Sequence, residues 1–192
     1  MGALHHHNIG DYIAKYNLKH YVETGTGMGE CLQHALSFEF ETLSSIEIYP
    51  KVYESVKEKF TQTKAKVFLG NSYEVLPEIL SEIEESVLFF LDAHFPGADF
   101  HYETYTSTTD YDTRLPLERE LKTINHSRDI SKDVFIIDDL RVYEDNNFSD
   151  GNWPLRAQAG GNGIDFVHEI FDGSHNIEKD LRHQGFLIIT PK

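Results

Sequence analysis

Carboxylates and glycines fall at spacings that chemistry could use. The run Glu23-Thr24-Gly25-Thr26-Gly27-Met28-Gly29 sets one acid ahead of three glycines at alternate positions. Glycine removes the side chain between backbone and ligand and tolerates positive φ, so such a run at the start of a helix lets a ligand lie against main-chain N–H groups. Two common nucleotide patterns are not met. The dinucleotide fingerprint needs glycine at position 30, where Glu30 stands, and the P-loop lysine is missing. Eighteen residues beyond Gly29 comes Glu47, a carboxylate able to accept both hydrogen bonds of a ribose diol, or else a solvated acid at a strand end.

A second constellation is richer in oxygen. Leu91-Asp92-Ala93-His94 and Ile137-Asp138-Asp139 each follow an apolar run, so three carboxylates and an imidazole gather at two strand ends. Such a group suits Mg²⁺ or another hard divalent cation, which could hold two substrate oxygens and acidify a hydroxyl. His94 lies two residues past Asp92 on the same strand face, and an imidazole suits general-base work near neutral pH. It could instead ligate the cation, or pack. One of the aspartates could be structural, capping a turn or pairing with Arg141 or Arg114.

These residues need elements to hold them. Short β-branched or aromatic runs alternate with amphipathic stretches, which predicts a doubly wound, Rossmann-like α/β sheet, mostly parallel, in one domain spanning 1–192. Strands are expected at His20–Glu23, Thr42–Ile48, Lys66–Leu69, Val87–Leu91 and Val134–Ile137, and a closing antiparallel hairpin from Ile177–Arg182 and Phe186–Thr190 around His183-Gln184-Gly185. Helical spacing covers Ile9–Tyr16, within an N-terminal extension over 1–19, then Glu30–Phe38, a helix begun by Pro50, Tyr73–Leu80, Pro116–Asn125 and Asp165–Phe171. Two polar stretches, 95–115 and 141–163, lack periodicity and have the length of lids over a site. They carry Tyr102, Tyr105, Tyr111 and Trp153, and could equally join copies of the chain in a homo-oligomer. Arg114 and Arg141 could hold a substrate carboxylate or phosphate, or form surface ion pairs.

Bulk properties narrow the partners. Lys and Arg number 17 against 32 Asp and Glu, a net charge of −15, which repels nucleic acid and anionic membranes and attracts divalent cations. No apolar run approaches bilayer length and no signal peptide is apparent, so a cytoplasmic location is expected. Cys31 is the single cysteine; it forms no internal disulfide and reads as a small apolar helix residue. His5, His6 and His7 could bind a metal weakly at a terminus expected to fray.

The acid-x-Gly-x-Gly-x-Gly turn and the acid on the second strand tip resemble the first two motifs of class I S-adenosylmethionine-dependent methyltransferases, and the element order fits along essentially the entire chain. The resemblance implies that Glu23, Thr24, Gly25, Gly27 and Gly29 face the methionine part of the cofactor and Glu47 its ribose. Asn71 and Ser72 stand where the family often has an acid near the adenine amine, and Asp92 lies beside the cofactor. The Asp-Asp pair is similar to that of the macrocin O-methyltransferase group, which implies Asp92, Asp138 and Asp139 as metal ligands. The activity implied is methyl transfer to a hydroxyl of a small polar acceptor such as a sugar or polyol; the catalytic groups expected are Asp92 and, from its position beside Asp92 rather than from a counterpart in the group, His94. Two other readings stay open: an S-adenosylmethionine-binding protein without transferase activity, and a metal-dependent hydrolase built on the Asp and His cluster.

Overall fold

The computed structural model describes residues 3–192. Seven strands, β1 (His20–Thr24), β2 (Thr42–Glu47), β3 (Ala65–Leu69), β4 (Val87–Leu91), β5 (Val134–Ile137), β6 (His175–Asp180) and β7 (Phe186–Pro191), form one sheet in the order β3-β2-β1-β4-β5-β7-β6. The first five run parallel, and β7 returns antiparallel to β5 and β6. The helices are α1 (Ile9–Tyr16), α2 (Glu30–Ala35), α3 (Pro50–Phe60), α4 (Ser72–Leu80), α5 (Tyr111–Arg114), α6 (Leu117–Ser127), α7 (Arg156–Ala159) and α8 (Asp165–Phe171).

The unbroken apolar run of β4 is explained by cover on both faces. Leu88 and Phe90 join Tyr21, Val134 and Ile136 against Ile9 of α1, Leu32 of α2 and Val56 and Phe60 of α3. Phe89 and Leu91 join Val22, Phe135 and Ile137 against Leu76 of α4, Leu121 of α6 and Phe171 of α8. Phe135 stacks on Phe89 at 4.7 Å and meets the edge of Phe171 at 4.8 Å. Each such side chain, fully buried, contributes about 1.5–3 kcal/mol of apolar transfer energy. The strand order reverses between β1 and β4, and the crevice beyond the carboxyl ends of these strands is where an open α/β sheet takes ligands.

Three departures from the sequence reading have local causes. The terminus expected to fray is packed: Leu4, 0% exposed, enters the α1–α3 core from a short 3-10 turn. His6 stacks on His183 at 4.1 Å and His7 meets the edge of Phe186 at 4.6 Å. Strand β6 begins at His175, two residues before the predicted Ile177, because pairing with β7 runs from His175 opposite Pro191 to Asp180 opposite Phe186. Within the two stretches read as irregular lie α5 and α7.

Candidate functional site

The glycine run turns the chain from β1 into α2. Gly25, Gly27 and Gly29 all have positive φ, at 83°, 53° and 79°. Gly25 is the tightest: a Cβ there would lie 2.6 Å from the main-chain oxygen of Asp92, so the turn can rest on the end of β4 only with glycine. Gly29 serves a different purpose, since its missing side chain makes room for Val56 and Phe60 of α3 at 2.8 Å.

Glu47, at the tip of β2, clips this turn in place. Its Oε2 accepts from the Gly27 N–H at 3.0 Å and its Oε1 from the Tyr49 N–H at 2.8 Å. A carboxylate oxygen has two lone-pair sites, so each keeps one for a ligand hydroxyl. Burial raises the Glu47 carboxyl while these N–H groups hold it down, the net being upward. Glu23, 1% exposed, accepts from the Ser45 hydroxyl at 2.6 Å, and Ser45 is in turn 2.6 Å from the Thr26 hydroxyl. Burial pushes the Glu23 carboxyl up to about 8, against the pull of Ser45.

Across the crevice, Asp92 after β4 and Asp139 after β5 face one imidazole. His94 Nε2 lies 2.8 Å from Asp139 Oδ2 and 3.5 Å from Asp92 Oδ1. Burial pulls the imidazole down, but hydrogen bonding and charge from Asp139 and Asp92 outweigh it and hold His94 well above the ordinary histidine range. Asp92, His94 and Asp139 each offer one ligand atom, and these atoms lie within 4.8 Å of one another. Two buried atoms of the group, His94 Nδ1 and Asp139 Oδ1, have no hydrogen-bond partner among the described residues. Two hard oxygens, an imidazole and unspent donor atoms fit a divalent cation. Asp138 is not brought into the group. Its Oδ1 takes the Asp139 N–H at 2.8 Å and its Oδ2 the Ala3 N–H at 2.9 Å, so of the expected ligands Asp92, Asp138 and Asp139 the structure gathers only the first and last, with His94 beside them. Asp139 adopts φ 54°, a left-handed conformation that aspartate tolerates, and this kink separates the paths of the two neighbouring aspartates.

A cleft of about 940 Å³, open mouth included, runs from the glycine turn to this cluster. Glu23, Gly25, Gly27, Glu47, Asn71, Ser72, Asp92 and His94 line it. The Thr24 side chain does not; it is fully buried, as is Glu120 of α6 behind it. Asn71 points its amide at Thr113 Oγ1, 3.2 Å away. Thr113 is held by Asp110, which caps α5 through the Thr113 N–H at 2.9 Å. Beside the cleft, the 95–102 segment packs on Tyr49, the residue before α3: Tyr102 stacks on Tyr49 at 5.3 Å, and Gly97 admits the same Tyr49 ring where a Cβ would sit 2.8 Å from it. The two long stretches meet through Phe95, which lies 5.0 Å from the Trp153 ring and 5.3 Å from that of Tyr105.

Sequence reasoning missed Thr26, Thr113 and Glu120. Glu120 is 0% exposed with both carboxylate oxygens unpartnered among the described residues, and burial lifts it to about 7 while Ser72 and Thr24 pull the other way. Its signal was present, because Glu120 falls on the inward stripe of Leu117, Leu121 and Ile124. A charge on that stripe is rare unless it serves something.

No protein-family model and no curated protein matches the sequence. Solved structures do match. An O-methyltransferase from Bacillus cereus, in complex with SAH, is 15% identical with a TM-score of 0.60, covering 100% of this chain and 82% of its own. The O-methyltransferase TomG from Streptomyces achromogenes, involved in Tomaymycin synthesis and in complex with SAM, is 16% identical at TM-score 0.56, covering 94% and 76%. An rRNA methylase from Streptococcus thermophilus is 11% identical at TM-score 0.55, covering 97% and 95%. Identities this low speak for architecture rather than substrate. The chain has the Rossmann-like fold of S-adenosylmethionine-dependent methyltransferases.

Proposed function

We propose that the protein transfers the methyl group of S-adenosylmethionine to a hydroxyl oxygen of a small polar acceptor, with a divalent cation held by Asp92, His94 and Asp139. The observation that carries this reading is the shared cleft: the glycine turn clipped by Glu47 forms one end, and the Asp92, His94 and Asp139 group the other.

The cofactor, when bound, supplies a methyl on a positively charged sulfur. This chain supplies position. Glu47 offers two lone pairs to a pair of vicinal hydroxyls, Asn71 and Ser72 offer polar edges at the start of α4, and the glycine turn offers bare backbone. Gly25 sets the turn against Asp92, so the cofactor end and the cluster keep a fixed separation, and orientation of this kind accounts for much of the rate in bimolecular transfer. Asp92 and Asp139 keep a proton on His94, which a bound cation would displace, so the receiver in the group for a proton leaving the acceptor hydroxyl is the unpartnered Asp139 Oδ1. A cation between the carboxylates would acidify that hydroxyl. The 95–102 segment forms one side of the cleft through Phe95, Pro96, Gly97, Asp99 and Phe100. The cleft's continuity from turn to cluster favours transfer over hydrolysis by the cluster alone.

Titration calorimetry tests this directly. S-adenosylmethionine and its demethylated product are expected to bind, and Glu47→Ala to weaken both by about 1.5–3 kcal/mol, the worth of a charge-assisted hydrogen bond. Unchanged affinity in that variant, or no heat with either ligand, removes the reading. Mn²⁺ is expected to raise the melting temperature, and Asp139→Asn to abolish the rise while leaving cofactor affinity in place. An equal rise in that variant takes Asp139 out of the cation site.

A further inference from the structure

We infer that a second cavity, beside the cleft, binds the anionic group of a single-ring hydroxylated acid, a carboxylate or phosphate held by Arg141 with the ring against Tyr105 and Trp153. Calling that ligand the acceptor rests on the transferase reading; the anion subsite does not.

The cavity, about 490 Å³ with its opening, shares His94, Phe95, Asp99 and Asp139 with the cofactor cleft. A ligand seated in it therefore abuts the cluster where a hydroxyl would react. Arg141 is the only Lys or Arg in its wall. Its backbone is pinned, with the N–H donating to the Gln184 carbonyl at 3.0 Å within the turn Leu140–Val142. Its guanidinium is unspent. Among the described residues it donates no hydrogen bond, and its closest carboxylate oxygen is Asp139 Oδ1, 3.9 Å from Nε. Four of the other five arginines are hydrogen-bonded, Arg114 to the Thr108 carbonyl, Arg128 to those of Ile83 and Glu85, Arg156 to Asp145 and Arg182 to Asp180, while Arg119 lies over the Tyr73 ring at 5.7 Å, outside this cavity. Those four brace the fold. Arg141, 22% exposed and in the wall of this cavity, keeps its donors free of hydrogen bonds among the described residues, and a guanidinium can receive a carboxylate or phosphate bidentately.

The surroundings agree. Asp99, which would repel an anion, already accepts from the Tyr105 hydroxyl at 3.0 Å. Gln184 adds a neutral polar group to the wall. Tyr105 and Trp153, 5.4 Å apart and edge to face, form a corner for a flat ring. A net charge of −15 disfavours anions over the rest of the surface, so a local guanidinium beside a cation site is what would admit one.

The chain has one tryptophan, and it lines this cavity. Protein labelled with 5-fluorotryptophan therefore gives a single ¹⁹F resonance that reports occupancy without turnover. We expect 4-hydroxybenzoate and phenyl phosphate to shift it with dissociation constants at least about tenfold below that of phenol, from the charge-assisted bonds, the tighter of the two identifying the anion. Arg141→Gln should erase the difference, and Arg141→Lys, which keeps charge but loses the fork, should retain part of it. Equal binding of phenol, a preference that persists in Arg141→Gln, or no shift with any probe at millimolar concentration overturns the inference. Calorimetry with S-adenosylmethionine separates the two claims. Cofactor binding without a ¹⁹F response removes the anion subsite and keeps the transferase reading, and the reverse pattern keeps the subsite and removes the transferase reading.

Discussion

Glu23 shows what the site costs the fold. It sits on β1, buried, with its carboxyl pushed up to about 8 because the charged form is poorly solvated there. In the unfolded chain the group ionises near pH 4.5. Below that pH both states carry the proton and the group is neutral to stability. As pH rises from 4.5 to 8 the unfolded state loses its proton first, so stability falls across that window, and above 8 the penalty is complete. Glu23→Gln removes it. The variant is expected to melt close to wild type at pH 5 and well above it at pH 8, the gap reaching on the order of 3 kcal/mol near pH 7. Calorimetric scans of both proteins at the two pH values check this, and a gap that does not widen with pH would show that Glu23 ionises normally. Glu120 invites the same reasoning, with both oxygens unpartnered among the described residues beneath the crevice.

At the level of elements, the β1-to-α2 turn separates glycines needed for space from glycines needed only for conformation. At Gly25 a methyl would strike the Asp92 carbonyl from 2.6 Å; at Gly27 it would find only Phe100 Cζ at 3.6 Å. Gly25→Ala is therefore expected to cost several kcal/mol, more than about 3, by forcing β1 and β4 apart. Gly27→Ala should cost about 1 kcal/mol, the penalty of a left-handed alanine. Urea denaturation of the two variants measures the difference, and equal costs would place the strain elsewhere. This turn was legible in the sequence because spacing alone encodes it, and so were β4 and β5, whose burial on both faces leaves unbroken apolar runs; β1 to β3, which carry polar residues, were legible from the alternation of short β-branched or aromatic runs with helical stretches. What was not legible has physical reasons. Asp110, a capping side chain, begins α5 inside a run of Thr, Tyr and Asp that has no periodicity to detect. Arg156 pins α7 through Asp145 and the Gly161 carbonyl, contacts that no local pattern announces. The Asp138-Asp139 pair looks symmetrical as sequence, yet the backbone kink at Asp139 and the Ala3 N–H turn one of the two away. Edge strand β6, read two residues late, presents one polar face to solvent and hides its start.

Over the whole molecule, the fold leaves the class of acceptor open, and net charge supplies an expectation that can be tested. The same architecture serves O-methyltransferases and an rRNA methylase, so topology does not choose between a small acceptor and a nucleic acid. A protein that binds RNA gains affinity by releasing counterions from phosphates it neutralises with Lys and Arg. This chain carries 17 such residues against 32 acids. Several cations are already committed: Lys57 to Glu54, Lys122 to Glu118, Lys179 to Glu144 and Arg182 to Asp180. Among the described residues no helix is long and apolar enough to cross a membrane. Filter binding with a structured RNA is expected to show no retention at about 0.15 M salt, where screening beyond about 8 Å leaves only contact charges to act. It should show little at low salt, where the net field is felt at longer range and is repulsive. Retention that grows steeply as salt is lowered would mean that a basic face outweighs the net charge, and the acceptor would then be sought among nucleic acids. The same field concentrates divalent cations, so Mn²⁺ affinity should weaken as added monovalent salt screens it, while RNA retention stays low at every salt concentration.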